Sequence, residues 1–442
     1  MVLQQKSKAS IWGKAGVHEK ISISTSWGAK KTFMADNQGL WSVKIPTPKG
    51  SYEKESISIE GENKINLQDI LIGEVWICSG QSNMGMEVRK TEDAAKEIQQ
   101  ANYPNIRFFH INQVPAWEPQ YNVNARWKIC SPETVAKESA VAYFFGRKLH
   151  ISLNVPVGLI VSAYGGTKVK SWINRQSSCE ISKEESEQLA TIPSVRSKKP
   201  EKHLPFVLYN GMINPVKTFA IRGAIWYQGE SDVAAANTYR TLFPVLISGW
   251  RTEWQQGNFP FYFVQIPPFQ YKDPLGVPSA ELRDAQLRTL GKVKNTGMVV
   301  ISDISSSEIL HPTNKKEVGR RLALLALRND YKINASSFSS SFYKSHRIEG
   351  NKVIIKFDFA EQLKAKGDKV IGFTIAGNDE KFVSAYAEII NNNQIMVWSD
   401  QISNPASVRF GWVNSYKTNL FNEIDLPVSP FKTDDWKDTT AR

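Results

Sequence analysis

The sequence predicts an α/β protein: a doubly wound parallel sheet flanked by N-terminal and C-terminal β-sandwich-like regions. Two observations predict this. In the middle of the chain, four apolar strand-like runs each end in a short polar loop, and helix-patterned segments alternate with them. That pattern suits a parallel sheet with its site at the carboxyl edge. Toward both ends the pattern changes to period-two alternation between turn residues, which marks antiparallel strands with one wet face.

Taken in order, residues 1–69 read as a small β-sandwich. Ile21 and Ile23 alternate with serines, Trp41, Val43 and Ile45 alternate with polar residues, and turn signals stand at 35–39 and 61–63. From 70 to 332 the pattern is mixed. The strand-like runs are Ile70 to Cys78, Pro156 to Ala163, Ile221 to Tyr227 and Gly297 to Asp303. Leu242, Phe243, Leu246 and Trp250 share one face of a helix that begins near Tyr239. A second helix follows Pro312, a residue suited to a helix start, and carries Val318, Leu322 and Leu325 at helical spacing through Leu327. The Ser-, Glu- and Lys-rich stretch from Cys179 to Lys202 reads as an excursion or lid near the site. After a Ser-rich connector, residues 333–442 return to β alternation, with Asn391-Asn392-Asn393 as a hairpin turn.

At 442 residues the chain exceeds one ordinary core, and about two to four domains are expected. No apolar run approaches the ~20 residues that span a bilayer, and Met1 to Gln5 reads as mid-strand rather than leader. Three cysteines cannot all pair within one chain. Without a Cys-x-x-Cys or a histidine at ligand spacing, a structural zinc site is not expected, and Cys78 and Cys130 read as core thiols. The formal charge of +12 is spread over scattered lysines. With no basic-aromatic interleaving, a nucleic-acid partner is not expected. A basic surface would draw in anionic substrates.

The chemistry centres on Gly80-Gln81-Ser82-Asn83-Met84, directly after the first buried strand. A serine just past such a turn presents its hydroxyl at the rim of the sheet, so Ser82 is the candidate nucleophile. A serine hydroxyl needs a base, a group to orient that base, and donors for an oxyanion. Of six histidines, only His311 follows a strand end with an acid three residues earlier. Glu308 is the favoured orienting acid and Asp303 the alternative; if neither reaches the ring, a Ser-His dyad remains.

The order GQSNM, GLI-x-SAYGGT, IWYQGESD and a late E-x-x-HP resembles the SGNH hydrolases, specifically the sialate O-acetylesterase family of carbohydrate esterases. The likeness runs through almost the whole chain, including Ala140 to Arg147, Asn210 to Pro215 and Ser429 to Asp434. The resemblance implies an SGNH-hydrolase-like catalytic domain that works through an acetyl-enzyme with no cofactor and no metal. It also implies an oxyanion hole from the N–H groups of Ser82 and Gly165 and the side-chain amide of Gln228. Gln81 and Asn83 would fix the nucleophile turn, and Glu230 would hold the loop or Gln81. Tyr164, Trp226 and Trp172 could wall a sugar ring or pack in the core. Arg283 could face a substrate carboxylate or form a helix-surface salt bridge. The implied substrate is an O-acetylated glycan, small or polymeric, with 9-O-acetylated sialic acid leading and acetylated xylan or xyloglucan as the alternative. A non-catalytic carbohydrate-binding protein and a lipase or thioesterase are the readings from other classes. The family implies a secreted or periplasmic location, which a trimmed mature chain would fit.

Overall fold

The computed structural model describes residues 1–181, 189, 197–274, 276–333, 338–417 and 419–441. Most of the segment read as a lid lies outside the described residues.

The central sheet is built from β1 (Lys64–Gly80), β2 (Tyr103–His110), β3 (Trp127–Cys130), β4 (Val157–Ala163), β5 (Gly223–Tyr227), β6 (Phe261–Val264) and β7 (Thr296–Val299). Their order across the sheet is β7-β6-β5-β1-β4-β2-β3. All neighbours run parallel except the β2–β3 edge pair. The chain reverses its direction of winding at β1, so the loops after β1, β4 and β5 open a crevice at the carboxyl edge.

Both faces are covered, and the strand sequences explain why. Successive strand residues point to opposite faces, and along β1 Val75 and Ile77 enter one core while Trp76 and Cys78 enter the other. The first face packs α3 (Ala236–Trp254) through Phe243 and Trp250, and α4 (Pro278–Lys292) through Leu282. The second packs α2 (Ala140–Leu153) through Tyr143 and Phe145, and α5 (Lys315–Asn329) through Leu322. Near-continuous apolar runs are what a strand buried on both sides requires. Cys78 and Cys130 are buried free thiols in the second core, as their surroundings in sequence suggested.

The expected boundary at 69/70 falls inside an uninterrupted strand. The first half of β1 pairs antiparallel with Ser51–Glu60 in the N-terminal sheet, and its second half is the centre of the parallel sheet. Asp69, at φ 55°, marks the joint. Buried Arg107 clasps it there, donating to its carbonyl at 2.5 Å and its carboxylate at 2.8 Å. The N-terminal region keeps its own small core around Ile23, Ile45, Ile57 and Ile70.

The C-terminal region holds two four-stranded antiparallel sheets around Val353, Ile355, Phe357, Ile375, Val397 and Phe410. Asn392 and Asn393 form the turn of the hairpin Tyr386–Asn391 to Gln394–Trp398, where the asparagine triplet placed it. Its tail returns to the catalytic region: Thr439 and Thr440 donate to Glu281 of α4, and Arg240 bridges Asp284 and Asp438.

Candidate active site

The last residue of β1, Gly80, has φ +140°, and a Cβ there would lie 2.1 Å from the Tyr227 carbonyl oxygen. Only glycine fits that close approach, and it lets the chain turn at once into the short helix α1 (Ser82–Gly85). The turn is pinned by the Gln81 N–H donating to Tyr227 O at 3.0 Å and the Tyr164 N–H donating to Gly80 O at 3.0 Å. Ser82 is thereby held at the carboxyl edge, between the loops after β4 and β5.

His311 arrives from the loop after β7, and Ser82 Oγ lies 2.7 Å from its Nε2, so the hydroxyl can donate to the ring. Burial, and then the ammonium groups of Lys315 and Lys90, push the His311 pKa below its ordinary value. The ring is thus kept in the neutral form that can accept the serine proton.

The acid expected behind His311 is not there. Glu308 is exposed and makes no hydrogen bond or ion pair with His311 among the described residues. Asp303, the alternative, is held by Arg321, which donates from Nη1 at 2.8 Å and from Nη2 at 2.6 Å. A buried guanidinium outcompetes an imidazole for that carboxylate because its charge is permanent and its geometry bidentate. Among the described residues, Ser82 and His311 therefore pair without a carboxylate on the ring.

Gly165 presses against the nucleophile, with a hypothetical Cβ 3.3 Å from Ser82 Cβ. Among the described residues, the backbone N–H groups of Ser82 and Gly165 have no acceptor, so both are available to an oxyanion. Gln228 differs from expectation. Its amide nitrogen donates inward to Thr167 O at 2.9 Å and to Asp232 Oδ2 at 2.5 Å, which occupies both N–H groups. The reverse orientation would set its oxygen against a carbonyl and a carboxylate. Burial raises the Asp232 pKa to about 6 against the opposing hydrogen bonds. Gln228 therefore braces the Gly165–Thr167 loop and keeps no N–H for an oxyanion.

The turn-fixing roles of Gln81 and Asn83 take definite form. Gln81 Oε1 accepts from the Gly229 and Ser231 N–H groups at 3.4 Å. Asn83 is fully buried and donates to Glu230 Oε1 at 2.5 Å and to the Leu310 carbonyl at 3.1 Å. Burial raises the Glu230 pKa. Glu230 thus holds Asn83, whereas backbone groups hold Gln81.

Of the two readings open for Trp226 and Trp172, the structure takes core packing: both are wholly buried beneath the site and meet edge-on at 5.9 Å. Only Tyr164 stands at the rim, with Lys202 Nζ 4.9 Å from its ring centre. Arg283 meets neither substrate space nor an acid. It is fully buried and donates to the carbonyls of Val413 and Asn414, stapling α4 to the C-terminal region.

Sequence reasoning missed Lys315 and Asp232. Lys315 is the first residue of α5, wholly buried, and donates to Asn83 Oδ1 at 2.5 Å. Its signal was a lysine at the i, i+3, i+7 stripe shared with Val318 and Leu322.

The fold is shared with a carbohydrate acetylesterase from Xanthomonas citri, at 33% identity and a TM-score of 0.89, over 98% of this chain and 97% of that one. Fold and site together define a carbohydrate esterase. The profile of the family described as carbohydrate esterase, sialic acid-specific acetylesterase matches residues 72–328, more than half of the chain. The chain belongs to that family and is a carbohydrate O-acetylesterase. Human sialate O-acetylesterase is 27% identical over 98% of this chain and 90% of its own length. The mouse enzyme is 28% identical over 83% and 78%. Among the described residues, no helix is long and apolar enough to cross a membrane.

Proposed function

We propose that the protein removes acetyl groups from acidic sugars, with 9-O-acetylated sialic acid as the leading substrate, by a Ser82–His311 dyad. The observation that carries the mechanism is the 2.7 Å approach of Ser82 Oγ to His311 Nε2 beside two unspent backbone N–H groups. Ser82 Oγ attacks the acetyl carbonyl carbon as its proton passes to Nε2. The oxyanion is received by the N–H groups of Ser82 and Gly165. The tetrahedral species collapses as Nε2 protonates the departing sugar oxygen, leaving acetyl-Ser82. Water then attacks this ester with His311 as base, and acetate leaves.

The preference for an acidic sugar is supported by the charge around the rim. Lys202 Nζ lies over Tyr164 and donates to Gly165 O at 2.7 Å. Burial and then Lys202, Lys168 and Lys170 lower the His203 pKa against the opposing charge of Glu201, and Lys90 acts in the same direction on His311. Such a rim attracts a carboxylate without touching the ester. A secreted or periplasmic site of action goes with a glycan substrate.

The test is acetate release from O-acetylated sialic acid and from acetylated xylan, with wild type and Ser82→Ala. Release from the sialic acid alone, lost in Ser82→Ala, is the expected result. Release mainly from xylan would keep the mechanism and overturn the substrate. Release that survives Ser82→Ala would overturn the mechanism.

A further inference from the structure

We infer that Lys315 is a positioning residue for the Ser82–His311 pair, closing a buried Glu230–Asn83–Lys315 bridge that locks the nucleophile loop to the histidine loop. The inference rests on the reading of Ser82 and His311 given above.

The three residues come from three separate elements. Asn83 is the peptide neighbour of Ser82 on α1, Glu230 follows β5, and Lys315 opens α5 four residues after His311. Their contacts converge on one amide. Asn83 Nδ2 spends one hydrogen on Glu230 Oε1 and the other on the Leu310 carbonyl, while Lys315 Nζ donates to Asn83 Oδ1. Leu310 O belongs to the peptide group that joins Leu310 to His311. The bond from Asn83 therefore links the immediate neighbours of the two reacting residues.

That link matters because, among the described residues, no carboxylate holds the imidazole. In a triad the acid fixes the ring; here the place of His311 is set by its backbone, and the backbone is tied to Asn83. Asn83 can hold that carbonyl only in the orientation that turns Nδ2 toward it and Oδ1 toward Lys315. An ammonium has donors and no acceptor, so Lys315 forbids the flipped amide, and Glu230 forbids it from the other side. Lys315 on one side and Glu230 with the Leu310 carbonyl on the other thus fix which way one uncharged amide faces.

Beyond Asn83, Lys315 Nζ has the attractive face of the Tyr227 ring, 5.0 Å from its centre, and forms no ion pair with a carboxylate among the described residues. Burial lowers its pKa to about 7, opposed by the charge of Glu230. Replacing Lys315 alone leaves Asn83 Oδ1 without its donor and Glu230 without its opposing charge, so stability is lost with it. A positioning role is therefore read from the rate per folded molecule and from its coupling to Asn83, not from stability.

The experiment uses the full chain with Lys315→Met, Asn83→Ala and the double variant. It reads thermal midpoint, kcat and KM on p-nitrophenyl acetate, and the rate at which a fluorophosphonate labels Ser82. Lys315→Met is expected to lower the midpoint, so rates are taken per folded molecule. Its kcat and labelling rate should fall together by about ten- to hundredfold, the scale of a small misplacement of reacting groups. KM should stay nearly constant, and the double variant should be no slower than Asn83→Ala alone. Wild-type labelling in Lys315→Met, or single effects that multiply in the double variant, would overturn the bridge. Should Lys315→Met fail to fold, Lys315→Met with Glu230→Gln removes both buried charges and carries the same expectation. Labelling that persists in Ser82→Ala would instead mean that the nucleophile itself was misread.

Discussion

Replacing Glu308 by glutamine separates a dyad from a triad. Glu308 is exposed and makes no contact with His311. Its carboxylate can act on the ring only through solvent, where such interactions amount to about 0–1 kcal/mol, or at most roughly fivefold in rate. An acid that holds the catalytic imidazole is worth far more; its amide replacement costs about 10⁴ in kcat. Glu308→Gln should therefore keep kcat within about fivefold of wild type. Asp303→Asn should behave differently again. It removes the charge and one of the two acceptors that hold a nearly buried Arg321 at 2.8 and 2.6 Å, and should cost on the order of 1–3 kcal/mol of stability. Glu317 and the Val300 carbonyl still hold that guanidinium, so the folded fraction should turn over almost normally. Initial rates of acetate release, with the active fraction counted by fluorophosphonate labelling, give kcat per folded molecule. A loss of 10³ or more in Glu308→Gln would refute the dyad and show that the loop brings Glu308 onto the ring during turnover.

The pH profile of kcat/KM should stay flat further into acid than an ordinary histidine allows. Burial and the cations Lys315 and Lys90 disfavour the imidazolium, so the active neutral ring persists below pH ~6.5. Lys90→Met should move that limb upward by a few tenths of a pH unit, and added salt should shrink the difference because Lys90 is exposed. Gly80→Ala should cripple folding, since its Cβ would meet the Tyr227 carbonyl at 2.1 Å at φ +140°. Strain and overpacking together cost about 2–6 kcal/mol, read as a collapse of soluble yield or thermal midpoint. Arg283→Met should lower the thermal midpoint by loosening α4 from the C-terminal region, while KM for an acidic substrate stays unchanged. A raised KM at constant stability would return Arg283 to the substrate.

The alternation of apolar runs and helical stripes specified the doubly wound sheet, because strands buried on both faces must be apolar throughout and amphipathic helices must cover them. The sequence likewise determined the nucleophile turn, since Gly80 is the one residue type that survives the approach of Tyr227, and it paired Ser82 with the single histidine placed to reach it. The strand, its glycine turn and the acid three residues before His311 are written in neighbouring residues, although the Ser82–His311 contact they prepare spans 229 residues. The tertiary structure alone decided the competition for partners. Asp303 was a fair orienting acid until Arg321, 18 residues on, captured it. Gln228 was a fair oxyanion donor until Asp232 and Thr167 took both its N–H groups. Trp226 suited a sugar wall as well as the core, and Arg283 a substrate carboxylate as well as a surface salt bridge, until packing buried both. Lys315 came to rest on Asn83, 232 residues away. Hydrogen-bonding capacity is finite, and which partner claims each donor or acceptor depends on distances that exist only once the chain has folded.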